Sequence, residues 1–446
     1  MRYAFRAIAC SVLLGCLMSP GAAKADWDVS GRVGETIEAN DNPQLLEDSP
    51  GGSVGSLTGL SLQAINTMPT SSWELGTNLA FSKFWGPGAL DSLDGVRGGV
   101  QTAYDKATPL TEYHAGFSAQ VLPASLSEVV DSGLTNADST SITYAGDGAL
   151  KHQLNQLNAF ALSISASSQA FIDDGQSPGS DNSSEALTPN TYVTAGQSWI
   201  HALSPRTDFT LALSTGWYTS DGGTDSLSES ATAAFQTQFS ERLSASIRAG
   251  GNVVRTTGNI DPETPGVAPS SDETSTGFIG SADLAYALRK RTNLGVSASH
   301  NLAPSSLGEL QQRTTVGVTL GHQINERSSL SASGVFVNQL PLSSTEIDID
   351  SRQALVLSLA YQRSLSQYWD LQLAYNFTEQ NNGQGEFVQF FNDEGKSVSN
   401  AVFLTLSRQF VLKRGRGEEP VAELDGAGVP LQPIEEWRSP PNQRHF

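Results

Sequence analysis

One serine of the chain matches a hydrolase pattern: Ser53, in the run Gly51-Gly52-Ser53-Val54-Gly55. G-x-S-x-G activates a serine when it forms the sharp turn between a strand and a helix, with a histidine and an acid in reach. Here the run falls in a loop between two predicted strands. We therefore expect no nucleophilic catalysis from Ser53.

The six histidines are dispersed, and no two have the spacing of metal ligands. Only His300 falls near the rim of the predicted sheet that carries the long loops, and its place in the strand pattern points it outward. Without a nucleophile beside a base, we predict no enzyme and no metal or cofactor site. The formal charge of −20 also argues against a nucleic-acid partner.

The first 25 residues have the pattern of an export signal. Arg2 and Arg6 precede an apolar run, 7–18, and Ala23-Lys24-Ala25 forms a small-x-small cleavage site. Cleavage there removes both cysteines and leaves a charge of −23, because the signal holds three basic residues and no acid. The alternative is a lipoprotein box at 13–16, which would leave a lipidated Cys16.

The remaining chain is organised as repeated β-hairpins, of which 353–380 is the clearest. Leu355, Leu357 and Leu359 alternate with small or polar residues, and the second arm repeats the pattern from Trp369 to Phe377. A period of two with one apolar face is typical of a strand. Each arm has about ten residues, the length with which a tilted strand crosses a bilayer.

About eighteen such segments follow one another, and short polar turns alternate with long acidic loops, one of which is predicted at 219–225. This alternation is typical of outer-membrane barrels, which have short periplasmic turns and long extracellular loops. A soluble β-sandwich would have shorter strands and no such alternation. We therefore predict an all-β fold, a transmembrane antiparallel β-barrel of about 18 strands over residues 26–412, located in the outer membrane.

Alternation along the strands also predicts a polar inner wall. Inward-facing positions are mostly Ser, Thr, Asn and Gln with isolated charges, which suits small polar or sugar-like solutes, and eighteen strands leave room for an aqueous channel. Inward-folded loops that plug the lumen are the alternative. The predicted lumen-facing residues are Arg97, Gln101, His114, Gln120, Arg248, Asn252, Asp283, Asp370, Gln372 and Asn376.

Residues 413–446 differ from the rest, being rich in Pro, Gly and charge. We expect a disordered periplasmic tail, with contact to peptidoglycan or a periplasmic partner as the alternative. Phe410, near the end of the last predicted strand, is the candidate signal for the barrel assembly machinery. The predicted loop acids are expected to be solvated; as an alternative, divalent cations link them to lipopolysaccharide phosphates.

The chain resembles the β-barrel porins of Gram-negative outer membranes, some of which are associated with exopolysaccharide systems. The resemblance lies in the first hairpin: the signal, the run Glu38-Ala39-Asn40-Asp41-Asn42, and the paired strands 59–65 and 73–84. It implies passive passage or export through the outer membrane, in contact with lipid and lipopolysaccharide. Three functions stay open: a porin-like passage, a component of exopolysaccharide export, and a plugged structural or adhesive surface barrel.

Overall fold

The computed structural model describes residues 27–89, 93–124, 139–173, 187–221, 224–258, 273–306, 310–341, 352–381 and 396–413. The predicted signal peptide and nearly all of the predicted tail lie outside these ranges. In the described part of the chain, no α-helix has the length and hydropathy of a membrane span.

The described residues form eighteen β-strands in a single sheet. In chain order the strands are β1 Trp27–Asn40, β2 Ser53–Met68, β3 Ser71–Trp85, β4 Gly95–Ala107, β5 Thr111–Pro123, β6 Ser139–Gln153, β7 Asn158–Asp173, β8 Asn190–Ser204, β9 Thr207–Ser220, β10 Thr224–Ser240, β11 Leu243–Gly258, β12 Glu273–Arg289, β13 Thr292–Pro304, β14 Leu310–Asn325, β15 Ser328–Pro341, β16 Arg352–Ser364, β17 Trp369–Asn381 and β18 Lys396–Lys413.

Each strand pairs antiparallel with its chain neighbours, and β1 pairs with both β2 and β18. The sheet is therefore a closed 18-stranded barrel, and the predicted fold is confirmed. Closure gives every strand a paired neighbour on both sides, which is the condition for crossing a bilayer with strands.

The outer wall is apolar because every second residue of each strand points away from the axis. On β16 and β17, Leu357, Leu359 and Leu373 are 43–50% exposed, whereas Val356 and Ala374 between them are buried. Aromatic side chains mark both ends of this band on β3, at Trp73 and Trp85. Paired aromatic belts are typical of barrels that sit in a membrane.

One acidic side chain interrupts the apolar outer wall. Glu35 has the same parity on β1 as the exposed Val33 and Ile37, and its carboxylate accepts hydrogen bonds from the hydroxyls of Ser56 and Thr58 on β2. These donors replace part of the hydration that a carboxylate loses at such a surface.

The connections depart from the expected alternation in two places. The eight turns after even-numbered strands are all short, as predicted, but among the nine connections after odd-numbered strands, β9–β10 is only 221–223 and β13–β14 only 305–309. At β9–β10 the strands stay paired up to Thr219 and Asp225, so the ladder includes both ends of the predicted loop 219–225.

The strands also run 13–18 residues rather than about ten, and β18 extends through Lys413. They therefore continue past the apolar band. At the seam between β1 and β18, the ring of Phe410 packs over Gly31 and beside Leu62. Phe410 thus joins the last strand to the first two, while its role as an assembly signal stays a prediction.

Candidate functional site: the barrel lumen

The ten predicted lumen residues lie on the face opposite the exposed apolar side chains. Val96 on β4, Ile247 on β11 and Tyr375 on β17 are 40–57% exposed on the outer wall, which puts their sequence neighbours on the inner one. The role of these residues in passage stays a prediction. Their contacts, however, show that several of the charges expected to be isolated are paired.

Two arginines of the inner wall lie beside carboxylates. Arg32 Nη2 is 3.4 Å from Asp370 Oδ2, across the inner surface of β18, and the same carboxylate accepts a 2.8 Å hydrogen bond from Ser364 Oγ. Arg97 is 7% exposed and interacts electrostatically with Glu38 on β1. Pairing lowers the cost of keeping these guanidinium groups against the wall.

His114 lies between two carboxylates. Its Nδ1 is 2.7 Å from Asp105 Oδ1 on β4, and its Nε2 is 3.0 Å from Asp147 Oδ2 on β6. A Cβ at Gly116 would lie 2.6 Å from Asp147 Oδ1, so glycine at this position leaves room for that carboxylate. Because the two acids bind opposite nitrogens of the ring, they fix the orientation of the imidazole.

With Glu74 and Glu112, these two aspartates place inner carboxylates on four adjacent strands. We call Glu74, Asp105, Glu112 and Asp147 the acidic stripe: it has one carboxylate on each of β3, β4, β5 and β6. All four lie in the half of the wall next to the short turns. Glu74 accepts a 3.0 Å hydrogen bond from Gln63, and Glu112 is 3.8 Å from Lys151.

The remaining predicted residues are distributed around the barrel. Asp283 accepts a 3.0 Å hydrogen bond from Ser246, and Arg248 is exposed. Gln101 lies against Gly76, and Gln120 and Gln372 are half-buried on β5 and β17. Asn252 and Asn376 each have a buried Oδ1 without a hydrogen-bond partner among the described residues.

On one side, the wall separates and part of it folds into the lumen. Pairing of β12 with β13 stops at Gly280–His300, although β13 continues to Pro304. Beyond this point β13 stays paired with β14, and β14 with β15. We call residues 301–313 the lumen hairpin; 307–309 at its tip lie outside the described residues.

Apolar contacts fix the lumen hairpin to the inner wall. Leu302 and Leu310 pack with Tyr192 of β8, Tyr218 of β9 and Val254 of β11. Leu310, Tyr218 and Val254 are only 1–2% exposed. The next residue on β9, Trp217, is 51% exposed on the outer wall, so Tyr218 faces the lumen. The hairpin is therefore inside the barrel.

Hydrogen bonds also hold the tip of the lumen hairpin against the inner wall. The carbonyl of Ser306 accepts a 2.6 Å bond from the backbone N–H of Thr188. The carbonyl of Ser305 accepts bonds from Asn190 Nδ2 at 3.2 Å and from the Tyr218 hydroxyl at 3.3 Å. These groups belong to β8, β9 and the segment before β8, so the described contacts of the tip lie on one sector of the wall.

The hydrolase-like run has a different position from the predicted one. The prediction placed all of 51–55 in a loop, whereas Ser53 is the first residue of β2 and pairs with Asn40. Among the described residues, the Ser53 hydroxyl has no hydrogen-bond partner, so no described base activates it. Likewise, no three described His, Cys, Asp or Glu side chains are placed to hold a metal ion.

Sequence reasoning missed the lumen hairpin, which is the main feature of the lumen. Inner positions of a barrel are expected to be polar, but Tyr192, Tyr218 and Val254 are large inner-face residues in the same half of the wall. Together with the short connection 305–309, they were the available signal. A cluster of large apolar residues on the lumen face of a strand indicates that another part of the protein packs over it.

Comparisons with known proteins return structures only. No protein family matches the chain, and no curated protein does. Similar solved structures include OpdO of Pseudomonas aeruginosa (9% identity, 87% of this chain and 98% of that one, TM-score 0.43) and a BenF-like porin from Pseudomonas fluorescens Pf-5 (11%, 87% and 99%, 0.43). The ferric-catecholate import receptor Fiu of E. coli K12 in its open form is also similar (10%, 88% and 82%, 0.43). At these values the proposals below rest on the chain's own geometry.

Proposed function

We propose that this protein is an outer-membrane channel that lets small polar solutes pass. The observation that carries the proposal is the contrast between the two faces of one closed sheet: an apolar outer wall with aromatic belts, and an inner wall of Ser, Thr, Asn, Gln and paired charges. An outer wall of this kind suits lipid, and the inner wall suits water. A barrel of eighteen strands is wide enough for an aqueous path.

The lumen hairpin gives this channel its size limit. Its described contacts are on β8, β9 and β11 and none is on β3–β6, so it narrows the path from one side. This arrangement favours a restricted passage for small solutes over the two alternatives, a plugged surface barrel and a wide duct for a polysaccharide.

The test uses the purified full-length protein. We expect a band that shifts on heating, which indicates a barrel, stable conductance steps in planar bilayers, and liposome swelling in a small sugar that decreases with larger sugars. Empty liposomes and boiled protein are the controls. A heat-modifiable barrel that neither conducts nor swells liposomes would overturn the channel and favour a surface role. Swelling that is independent of sugar size would favour a wide export duct.

A further inference from the structure

We propose that the channel prefers cations to anions and that the acidic stripe sets this preference. The inference rests on the proposed function, because it names the class of solute that an open channel would admit: small cationic or neutral polar molecules, with anions disfavoured. It concerns the wall of β3–β6, with which the described residues of the lumen hairpin make no contact.

The basic groups beside the stripe are already bound to it. His114 is held between Asp105 and Asp147, and the ammonium group of Lys151 is near Glu112. Among the described residues, the interaction of Glu74 is with the neutral amide of Gln63. Four carboxylates in adjacent strands therefore face the lumen with a single permanent positive charge among them. A permeating cation meets a negative wall there, and an anion is repelled.

The other strands in this half of the wall do not reverse the excess of negative charge on the inner face. On the inner face they add Asp28, Asp208, Asp283 and Asp370 against Arg32 and Arg248. Arg32 is paired with Asp370. Arg248 is exposed and has no ion pair among the described residues, which makes it the principal opposing charge.

The sequence of the nine connections after odd-numbered strands supports the same preference. Each contains at least one Asp or Glu, and none contains a Lys or Arg. A solute entering from that side therefore passes no fixed positive charge in the connections themselves. Fields of this kind raise the local concentration of the attracted ion.

Basic residues are concentrated instead at the opposite rim, where Arg206, Arg242, Lys290, Arg291 and Arg327 occupy the short turns. These side chains are exposed on turns beyond the strands. Their field is screened over about 8 Å at physiological salt, whereas charges on the wall of a narrow path act at close range. The stripe should therefore dominate.

The experiment measures the reversal potential of the full-length channel in a tenfold KCl gradient. The native channel should show potassium permeability several-fold above chloride. The triple variant Glu74→Gln/Glu112→Gln/Asp147→Asn should bring the ratio close to one, and Arg248→Gln should raise it. Glu229→Gln, which removes a carboxylate on the outer wall that pairs with Arg255, is the matched control and should leave the ratio unchanged.

The outcomes separate the two proposals. A conducting native channel with a ratio of one or below would overturn the cation preference and leave the channel standing. An unchanged ratio in the triple variant would overturn the role of the stripe. Absence of conductance from heat-modifiable native protein would overturn the channel itself and the preference with it. If the triple variant fails to form a barrel, Arg248→Gln still decides, because an unchanged or lower ratio contradicts the proposal.

Discussion

Two sectors of the lumen differ in what their inner residues do. On β8, β9 and β11, the large inner residues Tyr192, Tyr218 and Val254 form a dock for the lumen hairpin in one half of the wall. On β3–β6, the other half has one inner carboxylate on each strand, the acidic stripe. Apolar contacts of the lumen hairpin determine the width of the path, and the carboxylates determine whether cations or anions are preferred. The comparison indicates that the size limit and the selectivity of the proposed channel are separable by mutation.

The strongest way to test this separation is to release the lumen hairpin. The double variant Tyr218→Ala/Leu310→Ala removes two buried side chains, each worth about 3 kcal/mol or more when truncated. We expect a larger single-channel conductance and liposome swelling with larger sugars, at an unchanged ion preference. Leu213→Ala, on the outer wall of β9, is the control. A change in ion preference without a change in conductance would contradict the separation.

Cross-linking tests whether the lumen hairpin stays docked during conduction. Thr188 and Ser306 are joined by a backbone hydrogen bond, and both cysteines of the chain are confined to residues 10 and 16. Thr188→Cys/Ser306→Cys under oxidising conditions should leave conductance equal to that of the reduced protein, because a disulfide there holds the hairpin where the backbone hydrogen bond already places it. Conductance that falls on oxidation and recovers on reduction would indicate that the hairpin leaves the wall in the open channel.

His114→Leu addresses the other sector. It leaves Asp105 and Asp147 without their shared partner; Asp147, with 14% of its side chain exposed, should cost about 1–3 kcal/mol when unsatisfied, whereas the 46% exposed Asp105 is hydrated by water. We expect unfolding at a lower denaturant concentration and a somewhat higher ratio of potassium to chloride permeability. The size limit for sugars in liposome swelling should stay the same. Thr111→Val, which removes the hydrogen bond of His152 nearby on the outer wall, is the control. A lower ratio would count against the stripe.

The smallest expected effect belongs to Gly116→Ala. The added Cβ meets the flexible end of Asp147, which rotates aside and gives up part of its contact with His114. We expect a small change in ion preference and none in sugar permeation. Gly146→Ala, where the added Cβ has only a 3.7 Å contact, is the matched control. Equal effects of the two alanines would show that the position of Asp147 is unimportant.

Strand number and wall polarity could be predicted from the sequence because a period of two is a local property. Alternation around Leu357 and Leu373 identifies each strand and its outer face without knowledge of its partner. Closure then follows from the absence of any other way to satisfy backbone groups in lipid.

The pairing of charges and the lumen hairpin could not be predicted in this way. Arg32 and Asp370 are 338 residues apart, and Ser305 and Asn190 are 115 apart. Such contacts depend on register and closure, which no local pattern contains. The β9–β10 connection was missed for a related reason: whether residues 219–225 form a loop or continue the ladder depends on pairing across the hairpin.

An even number of strands has a practical consequence for anyone labelling this molecule. Because eighteen crossings return the chain to the side from which it started, Val29 and Lys413 are paired neighbours at the same rim. A tag placed after β18 is therefore on the same side as the start of β1, and an epitope inserted between β17 and β18 is on the other. The two rims of the barrel can therefore be labelled separately. Antibodies against the two labels, applied to intact and to opened cells, determine the orientation of the barrel in the membrane.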